Sequence, residues 1–561
     1  MSPADSAVAE RLQHTVRPTP RAGRAALLVG SVWLLIYSWG AAPTVLPGDA
    51  AELAAVAFRG GIAHTPGYPT YVLIGQVAGA ILPGDPSHRI ALLSSFMGAV
   101  SVGLFALVLA EFGLFWGALF AGALALGGTF TLWWSAIRVE VYTTGLALAL
   151  FALWRVMVAR RTLSTRDGLL AAFAIGLAMT VHLSFGVLLA LAGLALAVRA
   201  QRAGALPPAL VAGCAAALLV GLSPYLYLPF ADARYTLTNH LRMAIEPAGG
   251  QYGLSPGQFD GVWERMRFLL AGPEARPRSL AAHVPTAMLN ALYAAARSVL
   301  FDVGPLLALL AALGARAMFR RDRGAALVLA AAAVLTPLLG SLAVDGALLD
   351  VFMLTTTLAV AVFAAGAFER VAGGGGTRLG LALLLALVAI VLPHELRVRA
   401  QDPARGWPES LRPRVEGPPP VTTRIPSFRG ETRARREAEA VLAVIPESSF
   451  VAARWDRVTV LKYLQSAEGV RPDLWFDVWY EPSHIVRIAR WQRDHSLSSR
   501  PVVVVDSIAG LVERLASPEL LSVASSVELR IERVAVDTLL SRPRASEPGA
   551  GSSHTPPNGH R

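Results

Sequence analysis

A chain of 561 residues in which 54% are hydrophobic and only 16% are charged is not an ordinary soluble protein, because soluble chains carry about a quarter charged residues. Lys and Arg (50) outnumber Asp and Glu (39), but many of the basic residues fall in short loops between apolar blocks rather than along one stripe, so no nucleic-acid partner is expected. The single cysteine, Cys214, excludes an intrachain disulfide and a cysteine-based metal site.

Long apolar blocks predict an all-α polytopic membrane protein, since about 20 helical residues cross a bilayer core. The arginine-rich segment 1–24 is expected in the cytoplasm, and the block after it is long enough to remain as an anchor rather than to be a cleaved signal peptide. Residues 25–393 are expected to form the membrane domain. About eleven spans are predicted, at residues 25–45, 90–111, 112–133, 139–158, 168–183, 185–198, 207–229, 303–318, 325–344, 349–368 and 377–393.

One further apolar stretch, residues 68–82, decides the topology. It is short and is enclosed by Pro66, Pro69 and Pro83, which is typical of an interfacial or re-entrant helix. If it stays on the outer face, the arginine clusters of the later loops all lie in the cytoplasm, whereas they all move outside if it crosses. We therefore expect a multi-pass protein of a bacterial inner membrane, with a cytoplasmic N-terminus and the short polar motifs together on the outer face.

The remainder of the chain is polar and mixed, and it predicts a small extracytoplasmic α/β domain over residues 394–540. Residues 448–453 and 501–506 have the apolar character of strands, and helical patterns lie between them at 458–465 and 482–494. Residues 541–561 are rich in Ser, Pro and Gly, so this tail is predicted to be disordered.

The richest polar segment follows the first span. Asp49 and Glu52 are three positions apart, so they can share one face at the start of a helix. Two carboxylates at a membrane surface suit a general base or a cation site. Capping of the helix and a favourable charge at its N-terminus are the alternative. His64 precedes a rigid Thr-Pro-Gly-Tyr-Pro turn, where it either donates to a substrate or supports the turn.

A second outer motif contains Arg138 and Glu140, within residues 133–142. The positive-inside bias disfavours an arginine at this surface, so Arg138 is a candidate for binding a lipid phosphate through its planar fork of donors. An ion pair with Glu140 or Asp49 is the competing interpretation.

His182 lies between two apolar blocks at the same surface, where a titratable side chain is a functional candidate and a packed structural histidine is the alternative. Arg89 begins the span after residues 68–82 and either meets a phosphate or anchors its helix. The sequence contains no Walker loop, Rossmann glycine fingerprint, zincin helix or nucleophile elbow.

The order of these motifs resembles a known family. The acidic pair, a His-x-Pro-Gly-Tyr-Pro turn, an Arg before a Leu-Ser-Ser span, Trp-x-x-x-Arg-Val-Glu-Val-Tyr and Gly-Leu-x-x-x-x-His resemble the membrane proteins once catalogued as domain of unknown function 2723. That family includes endoplasmic-reticulum O-mannosyltransferases acting on plexin-type receptor domains, and it looks like a branch of the GT-C superfamily. The match is close over 44–186 and returns at Trp455-Asp456 and over 463–473.

The resemblance implies a GT-C fold with a catalytic base in the first outer loop, carried here by Asp49 with Glu52 as its partner. It implies a polyprenyl-phosphate sugar as the donor and no cofactor, with a cation at the two carboxylates as an open alternative. Relatives often have Asp-Ser-Gly-Glu where this chain has Asp-Ala-Ala-Glu, which retains both carboxylates. The expected contacts to donor phosphate or substrate are His64, Tyr68, Arg89, Arg138, Glu140, Tyr142 and His182.

The expected reaction is therefore transfer of a sugar, mannose or another hexose, to a hydroxyl of a protein or glycan with inversion at the anomeric carbon. The outer domain is expected to grip the acceptor or the donor. A transporter or flippase of lipid-linked glycans is the chief alternative, but it would favour polar residues near mid-bilayer and pseudo-symmetric halves. A scaffold for envelope assembly is the third.

Overall fold

The computed structural model describes ten stretches of the chain. These are residues 20–234, 238–245, 261–271, 280–343, 349–372, 376–401, 425–478, 500–505, 519–523 and 530–534. Most of segment 1–24, the helix predicted at 482–494 and the tail 541–561 lie outside them.

Nineteen α-helices make up the membrane part of the described residues. The first nine are α1 (Pro20–Gly40), α2 (Asp49–Arg59), α3 (Pro69–Ile81), α4 (Pro86–Glu111), α5 (Trp116–Gly127), α6 (Phe130–Ala136), α7 (Tyr142–Thr162), α8 (Thr165–Met179) and α9 (Gly186–Arg202). The next ten are α10 (Pro208–Leu222), α11 (Tyr227–Arg234), α12 (His240–Ile245), α13 (Val262–Ala271), α14 (Leu280–Phe301), α15 (Gly304–Arg321), α16 (Arg323–Ala343), α17 (Leu349–Phe352), α18 (Leu354–Ala372) and α19 (Gly376–Ala400).

Among the described residues, eight helices are long and apolar enough to cross a membrane, and up to ten spans result if each of two bent helix pairs counts as one. The pairs are α5 with α6, bent by 70°, and α14 with α15, bent by 102°. The chain is therefore a multi-pass membrane protein. The sequence predicted about eleven spans, and the difference is α8, which has only 15 residues.

Helix α8 nevertheless runs beside the predicted span α7. At one end Arg155 of α7 forms an ion pair with Asp167 of α8. At the other end the ring of Tyr142, the first residue of α7, lies 5.0 Å from that of His182, which follows α8. The two helices are thus antiparallel, and the C-terminal end of α8 lies on the same side as Tyr142 and His182.

Helices α2 and α3 fold back on each other after the first span. A Cβ added at Gly75 of α3 would lie 2.5 Å from the Cβ of Ala57 in α2, so the helices pack at a distance that only glycine allows. Helix α3 has 13 residues, a length of about 20 Å against the roughly 30 Å of a bilayer core. It is the short apolar helix that the proline-enclosed stretch predicts.

The C-terminal domain, which keeps the name outer domain from its predicted location, contains helices α20 (Arg433–Val444) and α21 (Trp455–Glu468) and a five-stranded sheet. The strands are β1 (Phe450–Ala453), β2 (Trp475–Val478), β3 (Val502–Val505), β4 (Glu519–Val523) and β5 (Arg530–Val534). Their order is β2-β1-β3-β5-β4. Strand β1 is parallel to β2 and β3, whereas β5 is antiparallel to β3 and β4. The small α/β unit is as predicted, although only β1 and β3 were expected.

The outer domain is fastened to the turn between α3 and α4. Asp85 caps α4 by accepting hydrogen bonds from the backbone N–H groups of Ser87 and His88. The Ser87 N–H also donates to the hydroxyl of Tyr463 in α21, over 2.9 Å. Arg435 of α20 binds Asp85 at 2.9 Å and Glu468 at 2.6 Å. These contacts hold α20 and α21 against the start of α4, and Arg59 of α2 donates to the carbonyls of Ser466 and Ala467 in α21.

Candidate active site

Asp49 and Glu52 both lie in the first turn of α2. The residue before the helix is Gly48, with φ of +74°, and no side chain caps this end, so the alternative in which Asp49 caps the helix is wrong. The Asp49 side chain is 35% exposed, whereas that of Glu52 is 10% exposed. The two carboxylates share a face, but only Asp49 is substantially open.

Glu52 is enclosed by two histidines. Its Oε2 lies 2.5 Å from Nδ1 of His64, and its Oε1 accepts hydrogen bonds from the His64 backbone N–H and from Nδ1 of His240, each over 3.0 Å. Burial raises the pKa of this carboxyl, but the charge on His64 and the hydrogen bonds from His240 and His64 outweigh it and lower the pKa to about 2. Glu52 is therefore a fixed anion and a poor proton acceptor.

The other ring nitrogen of His64 faces Asp49 and Tyr68. Nε2 lies 3.9 Å from Oδ2 of Asp49 and 2.9 Å from the hydroxyl of Tyr68. That hydroxyl also lies 3.0 Å from the carbonyl oxygen of Thr65. His64 therefore has a polar partner at each ring nitrogen, a carboxylate at Nδ1 and a hydroxyl at Nε2. The ring lies between the two carboxylates.

A short parallel pairing of two distant segments presents His240 to Glu52. The Ile62 N–H donates to the Thr238 carbonyl, and the His240 N–H donates to the Ile62 carbonyl, each over 2.8 Å. Gly61 has φ of +139°, and a Cβ there would lie 2.1 Å from the Thr238 carbonyl oxygen. The pairing therefore requires glycine at position 61.

Polar contacts fix the chain on both sides of His240. Asn239 donates to Asp232 over 2.7 Å, and Arg265 binds both oxygens of Asp232, at 2.6 and 2.8 Å. The Arg242 N–H donates to the side-chain oxygen of Asn239 over 3.2 Å. A bidentate guanidinium–carboxylate pair is geometrically specific, so this cluster holds the histidine in register.

The outer domain completes the site from the other side. The indole N–H of Trp455 donates to Oδ1 of Asp49 over 2.7 Å, and its ring packs edge-on against His240 with 5.7 Å between ring centroids. A cavity of about 30 Å³ lies between α2, residues 238–240 and α21, with Glu52, His240, Trp455 and Lys462 in its wall. It has room for a water molecule, and burial lowers the pKa of Lys462 in its wall.

Arg138 and Glu140 form a buried ion pair. The guanidinium also lies over the ring of Trp134, 5.1 Å from its centroid. Glu140 is close enough to interact electrostatically with Asp49 and His64. Arg138 therefore forms the ion pair with Glu140 that was the competing interpretation. This ion pair lies close to Asp49 and His64.

His182 stacks parallel to Tyr68, with 5.9 Å between ring centroids and 7° between planes. Tyr142 meets the same imidazole edge-on, and the Ser184 N–H donates to its Nδ1 over 3.0 Å. His182 therefore supports the tyrosine ring whose hydroxyl contacts His64.

Arg89 serves as an anchor in this structure. Its Nε donates to the Gly84 carbonyl over 2.9 Å and its NH1 nitrogen donates to the Gly79 carbonyl over 2.8 Å. The guanidinium also lies 5.7 Å from the ring of Phe58. Phe58 is six residues along α2 from Glu52, or about 9 Å of helix rise, so Arg89 lies away from the carboxylates.

Most of the predicted site residues are thus brought together. A continuous run of contacts joins Asp49, Glu52, His64, Tyr68, His182 and Tyr142. Their functional roles stay predictions. His240, Trp455 and Lys462 were not predicted as site residues, and the Trp-Asp dipeptide at 455–456 was the available signal for one of them. Within the described part of the chain, no group of three or more His, Cys, Asp or Glu residues has the arrangement of a metal site.

Residues 49–204 match the family described as the protein O-mannosyl-transferase TMEM260 N-terminal domain. This segment contains all nine predicted site residues, whereas His240 and Trp455 lie outside it.

Two curated relatives carry the same name. The chain is 37% identical over 70 residues to protein O-mannosyl-transferase tmem260 of Dictyostelium discoideum, covering 12% of this chain and 8% of that one. It is 29% identical over 206 residues to protein O-mannosyl-transferase TMEM260 of Mus musculus, covering 35% of this chain and 29% of that one. The chain therefore spans less than a third of the length of either relative.

Among solved structures, ArnT from Cupriavidus metallidurans bound to undecaprenyl phosphate aligns at 14% identity with a TM-score of 0.38, covering 90% of this chain and 97% of that one. The apo form aligns at 14% identity with a TM-score of 0.37, covering 92% and 99%. TM-scores of this size do not establish a common fold.

Proposed function

We propose that this chain is a membrane glycosyltransferase of the GT-C type. It transfers a hexose, mannose being the first candidate, from a polyprenyl phosphate to a hydroxyl acceptor such as a protein Ser or Thr side chain. The match of residues 49–204 to a protein O-mannosyl-transferase domain supports the reaction class. The positive-inside pattern supports chemistry on the extracytoplasmic face of a bacterial inner membrane, where a lipid-linked donor is the expected sugar source.

The observation that carries the proposal is the contrast between the two carboxylates. Both oxygens of Glu52 are held by histidine contacts, and its pKa is lowered to about 2. Asp49 is partly open, with Oδ1 bound to Trp455 and Oδ2 at 3.9 Å from His64, beyond hydrogen-bond distance. A general base must reach its proton, so Asp49 is the base and Glu52 is the partner that positions His64.

In this mechanism the acceptor hydroxyl gives its proton to Asp49 while its oxygen forms a bond to the anomeric carbon. The bond from that carbon to the phosphate oxygen breaks, and the electron pair leaves with the polyprenyl phosphate. Displacement from the opposite face inverts the anomeric centre. His64 in its protonated form stabilises negative charge that develops nearby, and a cation at the two carboxylates is the alternative.

The test is turnover by the purified full-length protein with a panel of polyprenyl-phosphate hexoses and serine- or threonine-containing acceptor peptides. Glycosylated peptide and released polyprenyl phosphate are measured together. Asp49→Asn should reduce turnover by about 10²–10⁴-fold, the usual contribution of a general base. Asp456→Asn is the matched control, because Asp456 is a neighbouring exposed carboxylate whose backbone carbonyl, and not its side chain, contacts Gly48.

Undiminished turnover by Asp49→Asn would overturn the base assignment. A different result is that the wild-type protein releases polyprenyl phosphate from none of the donors and instead moves a lipid-linked glycan across a vesicle membrane. That result would favour the transporter over the transferase.

A further inference from the structure

Trp455 contributes a directed contact to the proposed base from a different part of the chain. Its indole N–H lies 2.7 Å from Oδ1 of Asp49, although 406 positions separate the two residues. Indole has a single polar hydrogen, and here it is used on this carboxylate. A hydrogen bond to an ionised acceptor is stronger and shorter than a neutral one, so the contact restricts rotation of the Asp49 side chain.

Helix α21, which carries Trp455, is bound to α2 at both ends. At the start of α2 the Gly48 N–H donates to the Asp456 carbonyl over 3.4 Å. At the end, Arg59 donates to the carbonyls of Ser466 and Ala467 over 3.0 and 3.2 Å. The indole is therefore fixed relative to Asp49 by contacts that do not involve Asp49.

His240 also packs against the indole of Trp455, through the edge-on contact of the two rings. The same imidazole binds Glu52. The two carboxylates of α2 are thus connected by Glu52–His240 and Asp49–Trp455 contacts, and the orientation of Asp49 depends on residues from the outer domain as well as from the membrane part.

We propose that Trp455 is a positioning residue for Asp49, so that the outer domain is part of the active centre and does more than bind acceptor or donor. The proposal rests on the proposed function, in which Asp49 is the base. Orientation of a catalytic group is a large part of its contribution. Loss of the indole N–H should therefore slow the chemical step while leaving donor binding nearly intact.

The test uses Trp455→Phe, which retains an aromatic ring but removes the N–H. We expect kcat to fall by about 10- to 100-fold, the loss appropriate to one hydrogen bond to a charged group, with the KM for the donor changed by less than about twofold. Trp475→Phe is the control, because Trp475 is an indole of the same domain that is 44% exposed and stacks on Phe450.

A double variant separates positioning from a general structural effect. If Trp455 acts through Asp49, then Asp49→Asn with Trp455→Phe should turn over as slowly as Asp49→Asn alone, because effects within one unit are not additive. Independent multiplication of the two losses would overturn the proposal. Trp455→His restores a ring N–H and should be faster than Trp455→Phe; equal rates would contradict the role of the N–H even if the Phe variant folds poorly.

Different experimental results would contradict the proposed function and the positioning role of Trp455. Absence of turnover by the wild-type protein overturns the proposed function and this inference together. A large loss in Asp49→Asn with full turnover in Trp455→Phe overturns the role of Trp455 alone.

Discussion

The imidazole of His240 lies 3.0 Å, from Nδ1 to Oε1, from the carboxylate of Glu52, although 188 positions separate the two residues. This contact brings residues 238–240 onto α2 and gives Glu52 its second histidine. Because a buried anion is stable only when it is paired and hydrogen-bonded, the position of each histidine and the charge on Glu52 depend on one another.

Glu52→Gln should lower stability at neutral pH and reduce the loss of stability in acid. The folded-state pKa is about 2, against an ordinary value of 4.5. The ionised carboxylate therefore contributes stability that is fully present above about pH 4.5 and is lost as the pH falls towards about 2. Thermal unfolding of wild type and variant across this window should give a difference that is largest above pH 4.5. Glu447→Gln, at an exposed carboxylate of the same chain, is the control, and a pH-independent difference would contradict the prediction.

Gly61→Ala should disrupt the pairing between residues 60–62 and 238–240. The new Cβ would lie 2.1 Å from the Thr238 carbonyl oxygen, so a backbone segment has to move, at a cost of about 1–3 kcal/mol. We expect a lower melting temperature, lower turnover and faster hydrogen exchange at Ile62 and His240. Gly380→Ala is the control, since nothing lies within 4 Å of the added Cβ. Unchanged exchange at both amides would refute the prediction.

Arg138→Met should destabilise the protein by about 3–5 kcal/mol, because it leaves Glu140 buried without its partner. Adding Glu140→Leu should restore most of that stability if the ion pair is the main role of Arg138. The measurement is a double-mutant cycle on thermal unfolding, with the donor KM determined for each variant. Recovered stability together with a donor KM raised by about tenfold or more would instead indicate binding of the lipid phosphate by Arg138.

Arg435→Gln should loosen the outer domain. Arg435 joins Asp85 to Glu468 at 2.9 and 2.6 Å, and the Glu468 hydrogen bond raises its pKa. Its side chain is a quarter exposed, so the expected cost is only about 1 kcal/mol. Faster hydrogen exchange in α21 should reveal it. Arg433→Gln, on the same helix and 71% exposed, should leave that exchange unchanged; equal effects of the two variants would argue against a specific clamp.

The proposed orientation can be tested by cysteine labelling. The chain has one cysteine, so Cys214→Ala provides the background. In intact cells, Glu439→Cys in the outer domain should react with a membrane-impermeant maleimide. Gln201→Cys, at the exposed end of α9, should react only after permeabilisation. The reverse pattern would place the acidic pair in the cytoplasm and remove the lipid-linked donor from the mechanism.

Much of the arrangement of the outer motifs follows from local sequence. The three-residue spacing of Asp49 and Glu52 puts them on one helical face, and the prolines around 68–82 limit α3 to a short helix. The pair Arg138 and Glu140 is less direct, because positions two apart do not face each other on a helix. Residues 137–141 are not helical in the structure, which allows both side chains to turn inward.

The contacts that the sequence did not predict have mostly backbone or long-range partners. Arg89 was predicted either to meet a phosphate or to anchor its helix, and the two carbonyls to which it donates have no signature in the sequence. His240 is delivered by backbone pairing with Ile62, so no side-chain periodicity marks it. Trp455 meets Asp49 only because the outer domain docks on α2. Such docking depends on complementary surfaces far apart in the chain.

The pairing of Ile62 with residues 238–240 connects the matched segment 49–204 to chain that lies beyond it. A fragment ending at residue 204 would retain both carboxylates but would leave the edge at Ile62 without its partner strand and Glu52 with a single histidine. A chain segment that keeps both contacts to the acidic pair has to include His240 and Trp455, and a chimaera junction directly after Glu468 would separate β1 from its neighbouring strand β2.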